Sequence, residues 1–545
     1  MAHDPGHAEL HDPETDPLAT YVLEPDDVRS LLQRVAAGPA ATTRTTHAPY
    51  TGGPIAAVPQ STPDDVAQAA RRARAAQRLW AARPVRERAE VLLRLHDLVL
   101  EHQSDVLDLI QLENGKSRAA AYEEVVGIAL ATRHYGRKAA AYLAPRRVRG
   151  LLPVLTGATV LRHPVGVVGV VAPWNFPLLL TLGDAVPALA AGNAVIVKPD
   201  TQGTLTALWA VEQLEAAGMP AGLVQVVVGD GEIGAAVVDN VDHVVFTGST
   251  ATGRVVGAQA GRRLIGATLE LGGKNPMYVA EDVDVEVVAE GAVRACFAGT
   301  GQVCVSIERI YVHEDVADAF VEAFVRRTRA LRIGAGLDYR ADVGSLTTTA
   351  QLAKVVEHVE DALTHGATVL AGGVHRTDLG PLFYEPTILD GVTADARVFR
   401  EETFGPVVSI YRVASDDEAV AAMNDTDAGL NASVWTRDTA RGRALAARVR
   451  AGSVNVNEGY AATWGTIAAP QSGWGVSGVG ARNGREGLWA VTEQQTVAVQ
   501  RGAFGVRALP GLGGAGLGRL YELPAEAWTA VFTNALKGMR RAGLS

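Results

Sequence analysis

Few side chains in this chain have the types and spacing for covalent chemistry. Only two cysteines occur in 545 residues, Cys296 and Cys304. The second sits in "GTGQVCVSIERI", residues 299–310. Gly301 lets another backbone or a ligand come close. A loop turning into a helix there would lower the thiol pKa through free helix amides, and a thiolate attacks carbonyl carbon well. The commoner fate of a lone cysteine is a buried, inert side chain. No histidine stands nearby in sequence, so a thiol-protease pair has no local basis. "LELGGKNP" places Glu270 at a strand end before two glycines. In an apolar setting its carboxyl pKa would rise toward neutrality and suit a general base; the plainer reading is a structural ion pair. In "APWNFP", Pro173 and Pro177 stiffen a turn around Asn175, whose amide would serve as a fixed donor to an oxyanion.

Other stretches favour a nucleotide. Gly229, Gly231 and Gly234 spell Gly-x-Gly-x-x-Gly after the strand "VQVVVG", but no acid for ribose hydroxyls follows about 20 residues on. These glycines also read as an ordinary strand-to-helix turn. "FTGSTATG" is more informative: Gly248 follows a strand, and Ser249 or Thr250 can cap a helix whose free amides accept a pyrophosphate. Lys198 ends the strand of "VIVKPD", at the sheet edge where ribose or phosphate would lie; a lone lysine is more often a solvated surface charge.

These residues need a scaffold. From Val160 onward, "VVGVVAPW", "AVIVKP", "VQVVVGDG" and "HVVFTGS" are short β-branched runs separated by Ala- and Leu-rich helical stretches. That alternation predicts a parallel sheet covered on both faces, in a doubly wound α/β fold with ligands at the carboxyl ends of the strands. A second α/β unit follows Cys304, with strands in "RIYVHED", "ATVLAGG", "PVVSIYRV" and "GSVNVNE". Before both, Thr62 reads as the N-cap of a helix beginning at Pro63, and helical patterns run on to about Tyr142 with no obvious chemistry.

Hydrophobic residues make up 48% of the chain and charged residues 20%, enough to bury a large interior. A net charge of -10 argues against general nucleic-acid binding, which needs a basic footprint. The two close cysteines cannot form a disulfide framework and point to a reducing compartment. The acidic N-terminus has no signal-peptide pattern. Its His3, His7 and His11, broken by Pro5 and Pro13, read as a solvated tail rather than a metal site. The most apolar region, 164–198, is interrupted too often to span a bilayer. "LPGLGGAGLGRL" reads as a linker. Beyond it, Trp528, Val531, Phe532, Ala535 and Met539 fall on one helical face, read as docking on the body or on a neighbouring subunit, with a membrane-surface helix or disorder as the other readings.

Together these motifs resemble the aldehyde dehydrogenase family over residues 45–500. Glu270 to Lys274 match its E-L-G-G-K pattern, and Gly301 to Cys304 match G-Q-x-C, 34 residues after Glu270. "PWNFP", "KP" at 198–199, "FTGSTATG" and "EETFGPV" at 401–407 fall in the family's order. The resemblance implies that Cys304 attacks an aldehyde to give a thiohemiacetal. Asn175 and the Cys304 backbone N–H would hold its oxyanion, hydride would pass to a nicotinamide, and Glu270 would activate the water that hydrolyses the thioester. It also implies cofactor contacts: Trp174 and Gly231 in the cleft, Lys198 on the adenosine ribose, Gly248 and Ser249 near the pyrophosphate, Glu402 on the nicotinamide ribose, and Phe404 against that ribose or ring. Members preferring NAD often carry Glu three residues after this lysine; here Thr201 would not repel a 2′-phosphate, so NADP is expected, with NAD as the other option.

The chain looks most like bacterial NADP-dependent succinate-semialdehyde dehydrogenases, so oxidation of succinate semialdehyde to succinate is expected. The alternatives are another aliphatic or aromatic aldehyde, or a non-catalytic member. A CoA-acylating outcome is disfavoured by Glu270. There are departures from the pattern. Gly183 and Ala298 stand where better-known semialdehyde enzymes carry arginines, Gly299 replaces a common Asn, and Asp184 a common Lys. The expected organisation is a tail at 1–44, a dinucleotide-binding domain at 45–145 and 161–271, and a catalytic domain at 272–490. A small β oligomerisation arm at 146–160 and 491–501 and an extension at 502–545 complete it. A cytoplasmic homodimer or homotetramer is expected, with a small-molecule aldehyde as partner and no nucleic acid, membrane or metal.

Overall fold

A computed structural model describes residues 25–149, 156–500 and 525–541. The chain divides into two units: Met1–Tyr142 with Pro164–Glu493, and Leu143–His163 with Gln494–Ser545.

The first unit holds two large sheets. In one, six strands run in the order Gly478–Val479, Gly266–Glu270, His243–Thr247, Val167–Val171, Ala194–Lys198, Val224–Val226. Five pair in parallel and the short edge strand pairs antiparallel with Gly266–Glu270. Val167–Val171, Ala194–Lys198 and His243–Thr247 are buried at every position. Continuous β-branched runs are what a sheet covered on both faces requires. The helices Leu179–Ala191, Thr204–Ala216, Gly231–Asn240 and Thr250–Arg263 connect these strands.

The other sheet has seven strands, ordered Thr368–Ala371, Thr387–Asp390, Val407–Val413, Ile307–His313, Asn275–Val279, Asn431–Trp435, Ser453–Val456. Only Thr368–Ala371 is antiparallel to its neighbour. Its core packs Phe297, Phe320 and Phe324 with Ile310 and Val312; Cys296 is buried there as an ordinary core residue. The helix Pro63–Ala81 starts at Thr62, whose hydroxyl accepts from Asp65 N–H while the Asp65 carboxylate accepts from Thr62 N–H. The helical arm continues as Val85–Glu101, Gln103–Asn114 and Arg118–Tyr142.

The second unit contains a three-stranded sheet, ordered Thr492–Gln500, Thr156–Pro164, Arg146–Arg149, and the helix Ala525–Arg541. The side chains of Trp528, Val531, Phe532 and Ala535, the tail with His3, His7 and His11, and the glycine-rich linker lie outside the described residues. Among the described residues no helix is long and apolar enough to cross a membrane.

Candidate active site

Cys304 lies in a turn just before the strand Ile307–His313, not at a helix N-terminus. The preceding helix Val285–Phe297 ends through a short 3-10 turn, Ala298–Gly301. The expected lowering of the thiol pKa by helix amides is therefore corrected. Burial dominates and pushes the thiol up to about 12; Arg482 pulls it down, while Glu270 and Glu402 raise it further. Gly301 is obligatory. Its φ is +69°, and a Cβ there would stand 2.1 Å from the Gly405 carbonyl oxygen, so the Cys304 loop lies directly on the Glu402–Gly405 loop. Asn275 Nδ2 donates to the Cys304 and Ser306 carbonyls at 2.7 and 2.8 Å and fixes the turn from the neighbouring strand.

Asn175 follows the strand Val167–Val171 and is 4% exposed. Its Nδ2 donates to the Gln302 carbonyl at 2.9 Å, which joins the Pro173–Pro177 turn to the Cys304 loop. From the other side, Lys116 Nζ donates to the Asn175 carbonyl at 2.6 Å and to Glu124 at 2.9 Å. The Glu124 carboxylate also accepts the Leu178 and Leu179 N–H groups, and Asn114 Nδ2 donates to the Trp174 carbonyl. A buried ion pair with both carboxylate oxygens engaged and two ammonium protons donated makes a rigid mount.

Glu270 ends its strand, 4% exposed, with Oε1 lacking any hydrogen-bond partner. Burial raises its pKa to about 7; Arg482 opposes that rise and Asp184 adds to it. Glu402 accepts from Gly273 N–H at 2.9 Å. A Cβ at Gly272 would stand 2.3 Å from the Glu402 carboxylate, so glycine is what lets the two loops meet. Glu308 anchors both sides: it pairs with Lys274 at 2.5 Å and accepts the Thr403 and Phe404 N–H groups. That grip holds Phe404 at φ +57°, with its ring edge-on to Trp174 at 5.7 Å.

Two cavities meet at Cys304 and Asn175. One, about 670 Å³, is walled mainly by Phe176, Leu179, Val303, Val305, Trp464 and Ile467; its charged residues are Asp184 and Arg482. The other, about 700 Å³, is lined by Trp174, Gly248, Ser249, Glu270, Glu402 and Phe404. A larger cleft of about 2180 Å³ shares Trp174, Gly248 and Ser249 with it and extends to Lys198, Thr201, Gly231 and Gly234. Lys198 is buried, not a solvated surface charge; Nζ donates to the Pro199 carbonyl, and burial lowers its pKa. Ser249, rather than Thr250, caps the helix Thr250–Arg263 by accepting from Thr252 N–H. The Asp200 carboxylate beside Thr201 accepts the Gln202 N–H.

Every residue singled out for the site thus borders one of these three spaces. Sequence reasoning missed the Asn114, Lys116 and Glu124 mount, and it missed Arg482. Arg482 forms a two-pronged pair with Asp184, both contacts 2.7 Å, and donates to Thr247 Oγ1 at 2.7 Å. Asp184 did carry a signal, since an acid inside the apolar run "LLLTLGDAVPALAA" must find a partner.

Residues 37–497 match the aldehyde dehydrogenase family. A Mycobacterium tuberculosis protein named "Putative succinate-semialdehyde dehydrogenase (NADP(+)) 2" is 50% identical over 479 residues, covering 87% of this chain and 92% of its own. The crystal structure of an aldehyde dehydrogenase from Brucella melitensis biovar abortus has a TM-score of 0.83 at 32% identity, covering 89% of this chain and all of its own. A Staphylococcus aureus betaine aldehyde dehydrogenase in complex with NAD+ has a TM-score of 0.80 at 29% identity, covering 85% and 95%.

Proposed function

Because the chain belongs to the aldehyde dehydrogenase family and so oxidises aldehydes, we propose that it converts succinate semialdehyde to succinate with NADP, through a thioester on Cys304. The observation that carries the chemistry is the thiol's place at the junction of two cavities, where the Asn175 amide borders both and an unpartnered buried carboxylate lines one.

The cleft suits a dinucleotide. Its glycines leave room where backbone must be approached: a Cβ on Gly231 meets nothing within 4 Å, and Gly272 is closed to any side chain by Glu402. Lys198 and Thr201 would hold the adenosine ribose and its 2′-phosphate, the Ser249 end of its helix the pyrophosphate, and Glu402 and Phe404 the nicotinamide ribose. When bound, the nicotinamide supplies the acceptor for the hydride that leaves the aldehyde carbon.

The protein's part is as follows. Cys304 loses its thiol proton to solvent, and Sγ bonds to the aldehyde carbon. The resulting oxyanion is held by the second N–H of Asn175, the first being given to Gln302, and by the Cys304 backbone N–H. After oxidation, Glu270 takes a proton from water, which attacks the thioester carbon and releases the acid and the thiol. An unpartnered carboxylate with a pKa near neutrality is suited to that proton.

Succinate semialdehyde is supported by the name of the 50% identical relative. A second reading, a neutral apolar aldehyde, is favoured by the tunnel itself. Gly183 lines it, and its one cation, Arg482, already faces Asp184. A panel of acid-bearing and neutral aldehydes with NADP and NAD, read as absorbance of the reduced cofactor, separates them. If acid-bearing aldehydes have no advantage in kcat/KM, the first reading fails. No turnover of any aldehyde would overturn both. The proposal includes a cytoplasmic homo-oligomer, with residues 146–160 and 491–501, in the sheet of Arg146–Arg149, Thr156–Pro164 and Thr492–Gln500, as the oligomerisation arm; the two free cysteines fit a reducing compartment.

A further inference from the structure

The pair Arg482–Asp184 lies in the wall of the tunnel that ends at Cys304, with side chains 13% and 6% exposed. Its geometry is fixed from three directions. Arg482 exchanges both backbone hydrogen bonds with Gln471, at 2.7 and 2.8 Å. Its Nε and Nη2 engage the two Asp184 oxygens, which sets the plane of the guanidinium. Nη2 also reaches Thr247 Oγ1, and Thr247 is the residue in register beside Glu270 on the adjacent parallel strand. The clamp therefore delivers a permanent positive charge to the end of the strand that carries the base. Glu270 Oε1 has no hydrogen-bond partner among the described residues.

Two groups of the proposed chemistry must become anions in this pocket, and burial opposes both. The charged groups lining the two cavities that meet at Cys304 are Asp184 and Arg482 on the apolar side and Glu270, Lys354 and Glu402 on the other. Lys354, on the helix Thr349–Thr364, borders the cofactor side with Glu402. Arg482 shares the apolar cavity with Cys304 and reaches the end of the Glu270 strand through Thr247, whereas Lys354 approaches both from the cofactor side.

We propose that Arg482, clamped by Asp184, is a positioning residue whose charge sustains the thiolate of Cys304 and the carboxylate of Glu270, while Asp184 keeps it from collapsing onto either as a fixed ion pair. This rests on the proposed roles of those two residues. Electrostatics support it: Arg482 is the largest influence lowering either group. It also gives Asp184 a purpose in a tunnel otherwise walled by apolar side chains.

The test reads the thiol directly, without aldehyde or cofactor, so it stands or falls separately from the assigned reaction. Iodoacetamide alkylation of Cys304 is followed by peptide mass, with fully buried Cys296 as the internal unlabelled control. Between about pH 7 and 10, Arg482→Gln is expected to slow alkylation roughly tenfold, because an opposite charge nearby is worth at least about one pH unit. Asp184→Asn is expected to speed it by a similar factor, and Arg482→Lys to fall between wild type and Arg482→Gln. Opposite signs for the two neutral variants are the signature. A purely structural pair would move both in the same direction, and that result, or no change in either, overturns the proposal. Should Arg482→Gln fail to fold, Asp184→Asn decides alone: faster alkylation supports the inference, and slower or equal alkylation refutes it.

Discussion

Replacing Glu270 with Gln keeps the shape of the side chain and removes its proton affinity. The wild-type carboxyl is pushed from 4.5 to about 7 by burial, and its Oε1 has no partner. Ionising it inside the pocket therefore costs about 3 kcal/mol more than in water. That cost is what makes it a competent base near neutrality. In Glu270→Gln, stopped-flow mixing with aldehyde and NADP should still give a burst of reduced cofactor close to one equivalent per site, because thioester formation does not need the base. Steady-state turnover should fall by roughly a hundred- to ten-thousandfold, the usual loss on removing a general base. In wild type, steady-state turnover should rise with pH and level off above about 7, since the protonated acid is inactive. Stability must move the other way. A carboxyl whose folded pKa is raised favours the fold below the unfolded value and loses that contribution as pH rises through about 7. Glu270→Gln should therefore melt higher than wild type on the alkaline side of that range and show little difference at about pH 4. Steady-state turnover within threefold of wild type, or a burst lost together with turnover, would refute the assignment of Glu270 to thioester hydrolysis.

Three further outcomes follow from the geometry. Lys274→Met leaves the buried Glu308 unpaired, and urea unfolding should register a loss of about 3–5 kcal/mol. Gly301→Ala places a methyl against the Gly405 carbonyl at a left-handed φ; thermal unfolding should show a clear drop, with a backbone penalty alone of about 1–3 kcal/mol. Thr201→Glu puts a carboxylate beside Lys198 where a 2′-phosphate would sit, so the ratio of kcat/KM for NADP over NAD should fall about tenfold or more.

The residues proposed to react were legible because their types are scarce and their neighbours are glycines and prolines: a single cysteine after Gly-Gln, a glutamate before Gly-Gly, an asparagine between prolines. The parallel sheets were legible from continuous β-branched runs. What holds the reacting residues was not. The helical arm showed no chemistry in sequence, yet Asn114, Lys116 and Glu124 grip the Asn175 turn from some 60 residues away, a contact made by tertiary packing alone. The Cys304 segment misled for a related reason. Its small residues read as a loop entering a helix, but Ile307–His313 is claimed by the seven-stranded sheet, and the thiol is left in a buried turn. The strand already read in "RIYVHED" begins at Ile307, which leaves only Val305 and Ser306 between it and the thiol and no room for a helix.

Glu308 binds Lys274, Thr403 and Phe404 at once, from the strand that follows Cys304. A change at any of these positions is felt by the loop after Glu270, the Glu402–Gly405 loop and the strand after Cys304 together, so none can drift independently. The apolar side chains of Leu179, Val303 and Ile467 in the cavity wall make no such polar contacts. Descendants of this sequence are therefore free to explore new aldehydes one apolar wall at a time, while the reaction itself is inherited as an indivisible block.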